Sequence, residues 1–212
     1  MNTIHRIKCG NGNCYLIANG KDAVLVDTSK REFYDDIVNA CKPFNIKLIV
    51  LTHVHIDHAE NAIALSNLWG VPIAINERDY ELIEDYNFQK LCARSFLGKV
   101  VLLLSLKLFK NRKVPEFKPT VFLSEGDTLL SYGVNGKVLE LPGHTNGSIG
   151  IDVDEKNLIV GDALMNMFYP TISMLYHDRK KVLESAKKIS NLGDRIIYFG
   201  HGDPVNNKKW VH

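Results

Sequence analysis

The segment Thr52-His53-Val54-His55-Ile56-Asp57-His58 sets three imidazoles and a carboxylate almost side by side. Histidine is the commonest protein metal ligand, and such clustering serves no ordinary packing purpose. The cluster lies between an apolar run and a helical pattern. The chemistry this predicts is metal binding used for hydrolysis. Three neutral imidazoles leave a zinc ion one open position, the mark of a catalytic rather than a structural site.

Three later segments carry the same signal. They are Pro142-Gly143-His144-Thr145, Gly161-Asp162-Ala163 and Phe199-Gly200-His201-Gly202-Asp203. Each puts a metal-competent side chain beside glycine, directly after a predicted strand. Strand ends in α/β sheets are where functional loops gather.

Each of these residues has a plainer reading. Asp57 with Glu60 resembles a helix capping pair, but beside three histidines the ligand reading prevails. His144 and His201, taken singly, read as turn residues; their order with Asp162 makes them ligand candidates. Asp27 is expected to hydrogen-bond a ligand rather than bind metal. Asp203 reads as a turn residue, and His5, His177 and His212 as solvated or packed. Met165–Tyr176 is apolar and aromatic, with Phe168, Tyr169, Met174 and Tyr176. It either packs in the core or lines a pocket, where a tyrosine hydroxyl could meet a developing oxyanion. Asn146 is a candidate donor at the rim.

The elements that must position these groups alternate between strand and helix. Ile4–Lys8, Cys14–Ile17 and Ala23–Val26 read as strands parted by Gly and Asn. A helix is expected over Glu32–Cys41, ending before Pro43, then a buried strand over Lys47–Leu51. A helix from Ala59 to Trp69 ends at Gly70, and a strand covers Val71–Ile75. Asn76 caps a predicted helix from Glu77 to Tyr86. Val138–Leu141, Ile149–Val153, Leu158–Val160 and Ile196–Phe199 read as strands. Asp178 caps a helix with Val182, Ala186, Ile189 and Leu192 on one face, ended by Gly193. Two mixed halves of this kind imply a layered α/β domain spanning 1–212. Sheet order is not readable from them.

Composition narrows the class. A net charge of +2 gives no global pull toward nucleic acid or membranes. The N-terminal residues lack the apolar core of a signal peptide, and no apolar run matches a membrane span. Cys9, Cys14, Cys41 and Cys92 are scattered, with Cys9 and Cys14 expected as half-buried thiols. A cytoplasmic location is the resulting expectation. One stretch stands apart, at about 90–118, with eight Lys or Arg against the single acid Glu116. It encloses Val100–Phe109, too short and too charged to span a bilayer. The expectation is a basic helical insertion. It would serve as a lid, a homodimer face or a membrane-surface patch, or simply pack on the domain.

Taken in order from Asn13-Cys14-Tyr15-Leu16 and Val26-Asp27-Thr28 to His201, these motifs resemble the metallo-β-lactamase fold superfamily of metallohydrolases. The resemblance implies an αββα sandwich of two mixed β-sheets flanked by helices. It implies two divalent metal ions per chain, zinc first, with iron or manganese as alternatives. His53, His55 and His144 would hold one ion, and Asp57, His58 and His201 the other. Asp162 would bridge them, and Asp57 would orient a bridging hydroxide.

That bridging aspartate is similar to glyoxalase II and related lactonases rather than to secreted β-lactamases. A counterpart of the C-terminal helical domain of glyoxalase II is not expected after His201. The expected activity is hydrolysis of an ester, thioester or lactone in a small-molecule substrate. A phosphodiesterase or nuclease would use the same two-metal centre, with the basic insertion on a phosphate backbone. No aromatic ladder interleaves those basic residues, so an obligatory nucleic-acid partner is not expected. A one-iron sulfur dioxygenase is a further alternative, and it would not require the second ligand set. A diiron flavin-partnered protein typically has Glu where this chain has His55. A non-enzymatic binding protein does not explain seven ligand candidates.

Overall fold

Mostly continuous apolar runs in the first half, buried on both faces, build one mixed sheet. Its strands are β1 (Thr3–Cys9), β2 (Gly12–Asn19), β3 (Asp22–Val26), β4 (Asn45–Val50), β5 (Ile73–Ile75) and β6 (Val121–Phe122). The computed structural model describes residues 1–85, 88–110 and 112–211. The strands lie in sequence order, the first three antiparallel and β3 through β6 parallel. The second half supplies β7 (Gly136–Glu140), β8 (Ile149–Val153) and β9 (Asn157–Ile159). A small ribbon of β10 (Leu164–Met165) and β11 (Thr171–Ile172) follows, then β12 (Ile196–Tyr198) and β13 (Val205–Asn206). The second sheet runs β13-β12-β9-β8-β7, with β9 and β12 its parallel pair.

Alternation along the strands decides the layering, because successive side chains leave opposite faces of a sheet. Tyr15 and Ile17 of β2 meet Val138, Ile151 and Ile159 between the two sheets. Leu16, on the other face of β2, packs with the helices α1 (Tyr34–Cys41) and α3 (Ala62–Trp69) through Ile37, Cys41 and Leu65. The outer face of the second sheet meets α6 (Arg179–Ser190) through Leu158, Ile197, Ala186 and Ile189. The result is an αββα sandwich of two mixed sheets flanked by helices. Each fully buried Leu or Ile contributes about 1.5–3 kcal/mol to holding the layers together.

Several elements differ from expectation. The predicted Ala59–Trp69 helix is two, α2 (Ile56–Ala59) and α3, broken at Glu60-Asn61. The Asn61 amide donates to the carbonyls of Thr28 and Lys30, while the Glu60 carboxylate accepts from the Arg31 amide and from Arg112. These long-range partners turn the chain there. Asp57 makes no cap, since His55 occupies the N-cap position of α2 and no side chain bonds that end. The expected Glu77–Tyr86 helix is a 3₁₀ turn over Glu77–Asp79 followed by α4 (Glu81–Glu84), with Tyr86 outside the described residues. Asn76 does cap it, accepting from the Arg78 amide.

The basic insertion is helical only over α5 (Phe96–Phe109), capped by Ser95, which accepts from the Gly98 amide. Residues 112–120 are irregular, because Pro115 has no amide hydrogen and Val114 and Phe117 are drawn into the first sheet's outer core. Cys9 and Cys14 are fully buried free thiols, 3.9 Å apart at Sγ, rather than half-buried ones. Among the described residues no helix is long and apolar enough to cross a membrane.

Candidate metal centre

Parallel strand pairs bring the motifs together. In β3 and β4, Val26 is level with Val50, so Asp27 and the Thr52–His58 loop leave the same edge. The Asp27 amide donates to the Val50 carbonyl at 2.8 Å, and the Thr52 amide donates to Asp27 Oδ1 at 2.8 Å. In β9 and β12, Ile159 is level with Tyr198, and the loops bearing Asp162 and His201 exit together. The Gly200 amide donates to the Gly161 carbonyl at 2.8 Å. The Ile149 amide donates to the Thr52 carbonyl at 2.8 Å, which ties the second sheet to the first motif. His144 sits on the loop between β7 and β8.

All seven candidate residues converge in one place. His53, His55 and His144 form one group, and Asp57, His58 and His201 another, with donor atoms in each group within 4.8 Å of one another. Asp162 lies between them. Its Oδ2 is 3.4 Å from His201 Nε2 and 3.7 Å from His144 Nε2, and its Oδ1 is 3.6 Å from His58 Nε2. Asp57 Oδ2 is 3.4 Å from His201 Nε2. Six of the seven are buried, and Asp57 is the one partly open.

The hydrogen bonds behind the rings decide which nitrogen faces inward. His58 Nδ1–H donates to Asp27 Oδ2 at 2.9 Å. His144 Nδ1–H donates to the Leu175 carbonyl at 2.8 Å, and His201 Nδ1–H to the Asn11 carbonyl at 2.9 Å. Carboxylates and carbonyls accept only, so each of these rings carries its proton on Nδ1 and turns Nε2 to the centre. The Thr52 hydroxyl donates to Asp27 Oδ2 at 2.9 Å and thereby accepts from His53 Nδ1–H at 3.1 Å. His55 faces the centre with Nδ1, 3.0 Å from His144 Nε2.

Charge in the centre is divided. Burial drives His53 well below the ordinary histidine range, with His58 and His144 adding to it. Burial and His144 take His55 down to about 3. Burial also opposes charge on His58 and His201, but the carboxylates outweigh it. Asp27 and Asp162 hold His58 up at about 9, and Asp162 and Asp57 hold His201 well above its usual value. Burial would raise Asp57 and Asp162, yet His201 and His58 hold both well below the carboxylate range.

Two residues that sequence reasoning passed over brace this arrangement. Asp79 is fully buried and accepts from the Val54 and Gly147 amides, the Thr145 hydroxyl and Gln89. It thus clamps the His53 loop to the His144 loop. Gln89 accepts from the Asn146 amide at 2.6 Å. Asn146 itself is engaged at the rim by Gln89 and Lys181. Phe168 and Tyr169 are over half exposed, whereas Met174 is buried. His5 and His177 are exposed, and His212 lies outside the described residues. Asp203 pairs with Arg6 at 2.7 Å on the surface.

The donor set fits metal ions. Among the described residues, the buried side-chain N and O atoms with no hydrogen-bond partner are Ser29 Oγ, His53 Nε2, His58 Nε2 and Asp162 Oδ1. Leaving such atoms bare costs about 1–3 kcal/mol each, more when charged. Three of these four belong to the centre, and a cation is what their shared lone pairs would satisfy.

Comparison with known proteins agrees. The family model described as the metallo-beta-lactamase superfamily matches residues 7–201. An uncharacterized protein of Aquifex aeolicus is 33% identical over 196 residues, covering 90% of this chain and 84% of its own. Hydroxyacylglutathione hydrolase GloC of Haemophilus influenzae is 32% identical over 198 residues, covering 90% of this chain and 85% of its own. The crystal structure of BLEG-1 B3 metallo-beta-lactamase superposes with a TM-score of 0.78 over 98% of this chain and 95% of that one, at 22% identity. That last likeness speaks for the fold alone. On the family match and the identity to its relatives, this chain belongs to the metallo-beta-lactamase superfamily of metal-dependent hydrolases.

Proposed function

We propose that this chain is a dinuclear hydrolase acting on an ester, thioester or lactone bond. His53, His55 and His144 would hold one ion, Asp57, His58 and His201 the second, and Asp162 both. The observation that carries this reading is the buried trio of His53 Nε2, His58 Nε2 and Asp162 Oδ1, none with a hydrogen-bond partner, lying among four further donors. Two divalent cations, when bound, supply water activation near neutral pH and polarisation of the scissile bond. Zinc suits the set, and iron or manganese would also be accepted.

The chain's own residues supply the rest. Asp57, its side chain 24% exposed, is the carboxylate best placed to meet an entering substrate and to orient the attacking water. Asp27 holds the His58 ring and, through Thr52, the His53 ring. The inclusion of thioesters draws support from GloC, whose name describes hydrolysis of a hydroxyacylglutathione. A panel of one thioester, one lactone, one phosphodiester and one β-lactam tests the assignment. Chelator-sensitive turnover of the thioester or lactone is expected to dominate. Turnover of the phosphodiester alone would contradict it.

Two predictions arise here. In Asp27→Asn, an amide hydrogen replaces the oxygen facing His58 Nδ1. The ring proton is then pushed to Nε2, the nitrogen needed for metal. Affinity at that position should fall about 10–100-fold with the fold retained, as measured by chelator competition. Unchanged affinity would remove Asp27 from the account.

The second concerns pH. With its pKa held up to about 9, His58 is protonated at neutral pH when no ion is bound. Metal loading must expel that proton, so apparent affinity should rise between pH 6.5 and 8.5. The expected gain is about tenfold per pH unit for each proton displaced. A flat profile over this interval would show that no such competition exists.

A further inference from the structure

A cavity of about 1130 Å³ adjoins the metal centre, with His55 in its wall. That is large for a site that only needs to admit a small ester, since pockets that bury whole drug-sized ligands measure about 300–1,000 Å³. One wall is α5, which presents Leu102, Leu106 and Phe109 to the cavity at helical spacing of four and three, and Leu91 adds to the same apolar surface. The helix is not there to fill the core. Its buried residues are Gly98 and Val101, while Leu103, Leu104, Leu106 and Leu108 are each over half exposed. Its N-terminal turn is seated closely on the fold, because a Cβ at Gly98 would come within 3.1 Å of the Met174 carbonyl.

Charge on the same wall is unevenly spent. Arg112 is tied to Glu32 and Glu60. Lys90, Lys110 and Lys113 also line the cavity, and among the described residues no carboxylate lies within ion-pair distance of them. Glu84 and Asp85 are the acids in the lining. The cavity therefore joins an aliphatic surface to uncommitted ammonium groups. Among the described lining residues Phe109 is the one Phe, Tyr or Trp, so they offer no stacking ladder for nucleotide bases.

From this we infer that the substrates are amphipathic anionic esters or thioesters. An apolar acyl chain lies on Leu91, Leu102, Leu106 and Phe109, and a carboxylate or phosphate group meets Lys90, Lys110 or Lys113. The reaction at the ester rests on the hydrolase reading above; the binding of such molecules does not.

The test separates the two. Metal-loaded full-length protein is titrated with 11-(dansylamino)undecanoate, a fluorescent chain with a terminal carboxylate. Saturable binding is expected. Leu106→Gln and Leu102→Gln/Leu106→Gln should weaken it at least tenfold in the double variant. Lys110→Glu/Lys113→Glu should weaken it severalfold, with the deficit shrinking at high salt. Leu106 is largely exposed, so its single variant serves if the double one melts early. In parallel, kcat/KM is measured for acetyl, hexanoyl and decanoyl thioesters. It should climb by about fourfold per added methylene until the cavity is filled. Probe binding that responds to the variants, with no ester or thioester turned over, upholds the cavity and sinks the reaction. Turnover indifferent to chain length, with probe affinity unchanged in every variant, overturns the cavity proposal and leaves the hydrolase intact.

Discussion

Asp162→Ala should reduce bound metal to one ion or fewer per chain and lower kcat/KM about a thousandfold, equivalent to about 4 kcal/mol of transition-state stabilisation. Among the seven candidates, Asp162 is the carboxylate within 4 Å of rings from both histidine groups. In the proposed centre its negative charge would offset that of the ions, so its loss would remove a shared donor and a compensating charge together. The fold should survive, because one oxygen of the Asp162 side chain has no hydrogen-bond partner and its nearest neighbours are the imidazoles of the centre itself. Metal-free variant and parent are expected to melt within a few degrees of each other. Elemental analysis beside a thermal melt separates a lost centre from a lost fold. Full metal content at an undiminished rate would show that Asp162 does not bridge.

Gly200→Ala should be nearly as damaging, although it adds one methyl group. A Cβ at Gly200 would overlap Asp162 Oδ1 and lie 2.7 Å from His58 Cε1. The backbone cannot step aside, since the Gly200 amide donates to the Gly161 carbonyl and its carbonyl accepts from the Asn13 amide, both at 2.8 Å. Asp162 and His58 must therefore move instead. Metal affinity and activity should fall by more than about a hundredfold, because ångström-scale misplacement costs that much. Overpacking should cost about 1–3 kcal/mol of stability. A variant with normal metal content and melting temperature would mean that the centre is far softer than its packing implies.

How much of this was readable from the chain depends on how local each cause is. The seven ligand candidates were legible because metal chemistry demands particular residue types: four are clustered within Thr52–His58, and the loops of His144, Asp162 and His201 each carry a glycine after an apolar strand. The strands themselves were legible as apolar runs, but their faces were not: Cys14–Ile17 is apolar throughout, and only the packing sorts Leu16 from Tyr15 and Ile17. Asp79 was not legible. It is one of five acids in a helix-like stretch, with Glu77, Glu81, Glu84 and Asp85, and its meaning lies in Val54, Thr145 and Gly147, which are distant in sequence. The break between α2 and α3 was hidden likewise, because Asn61 is turned by carbonyls on the Thr28–Lys30 loop. Asp27 was recognisable as a support, but its left-handed backbone, φ 61°, carries no sequence mark in an aspartate. In the basic stretch the helix was visible, whereas the cavity it walls needed the tertiary position of α5.

The sharpest single measurement is the metal content of the purified, dialysed parent protein, read against protein concentration by elemental analysis. Two ions of a divalent transition metal for each polypeptide are expected. A stoichiometry of one iron, or hydrolysis that persists with no ion bound, would contradict the two-ion centre on which the proposed activity depends.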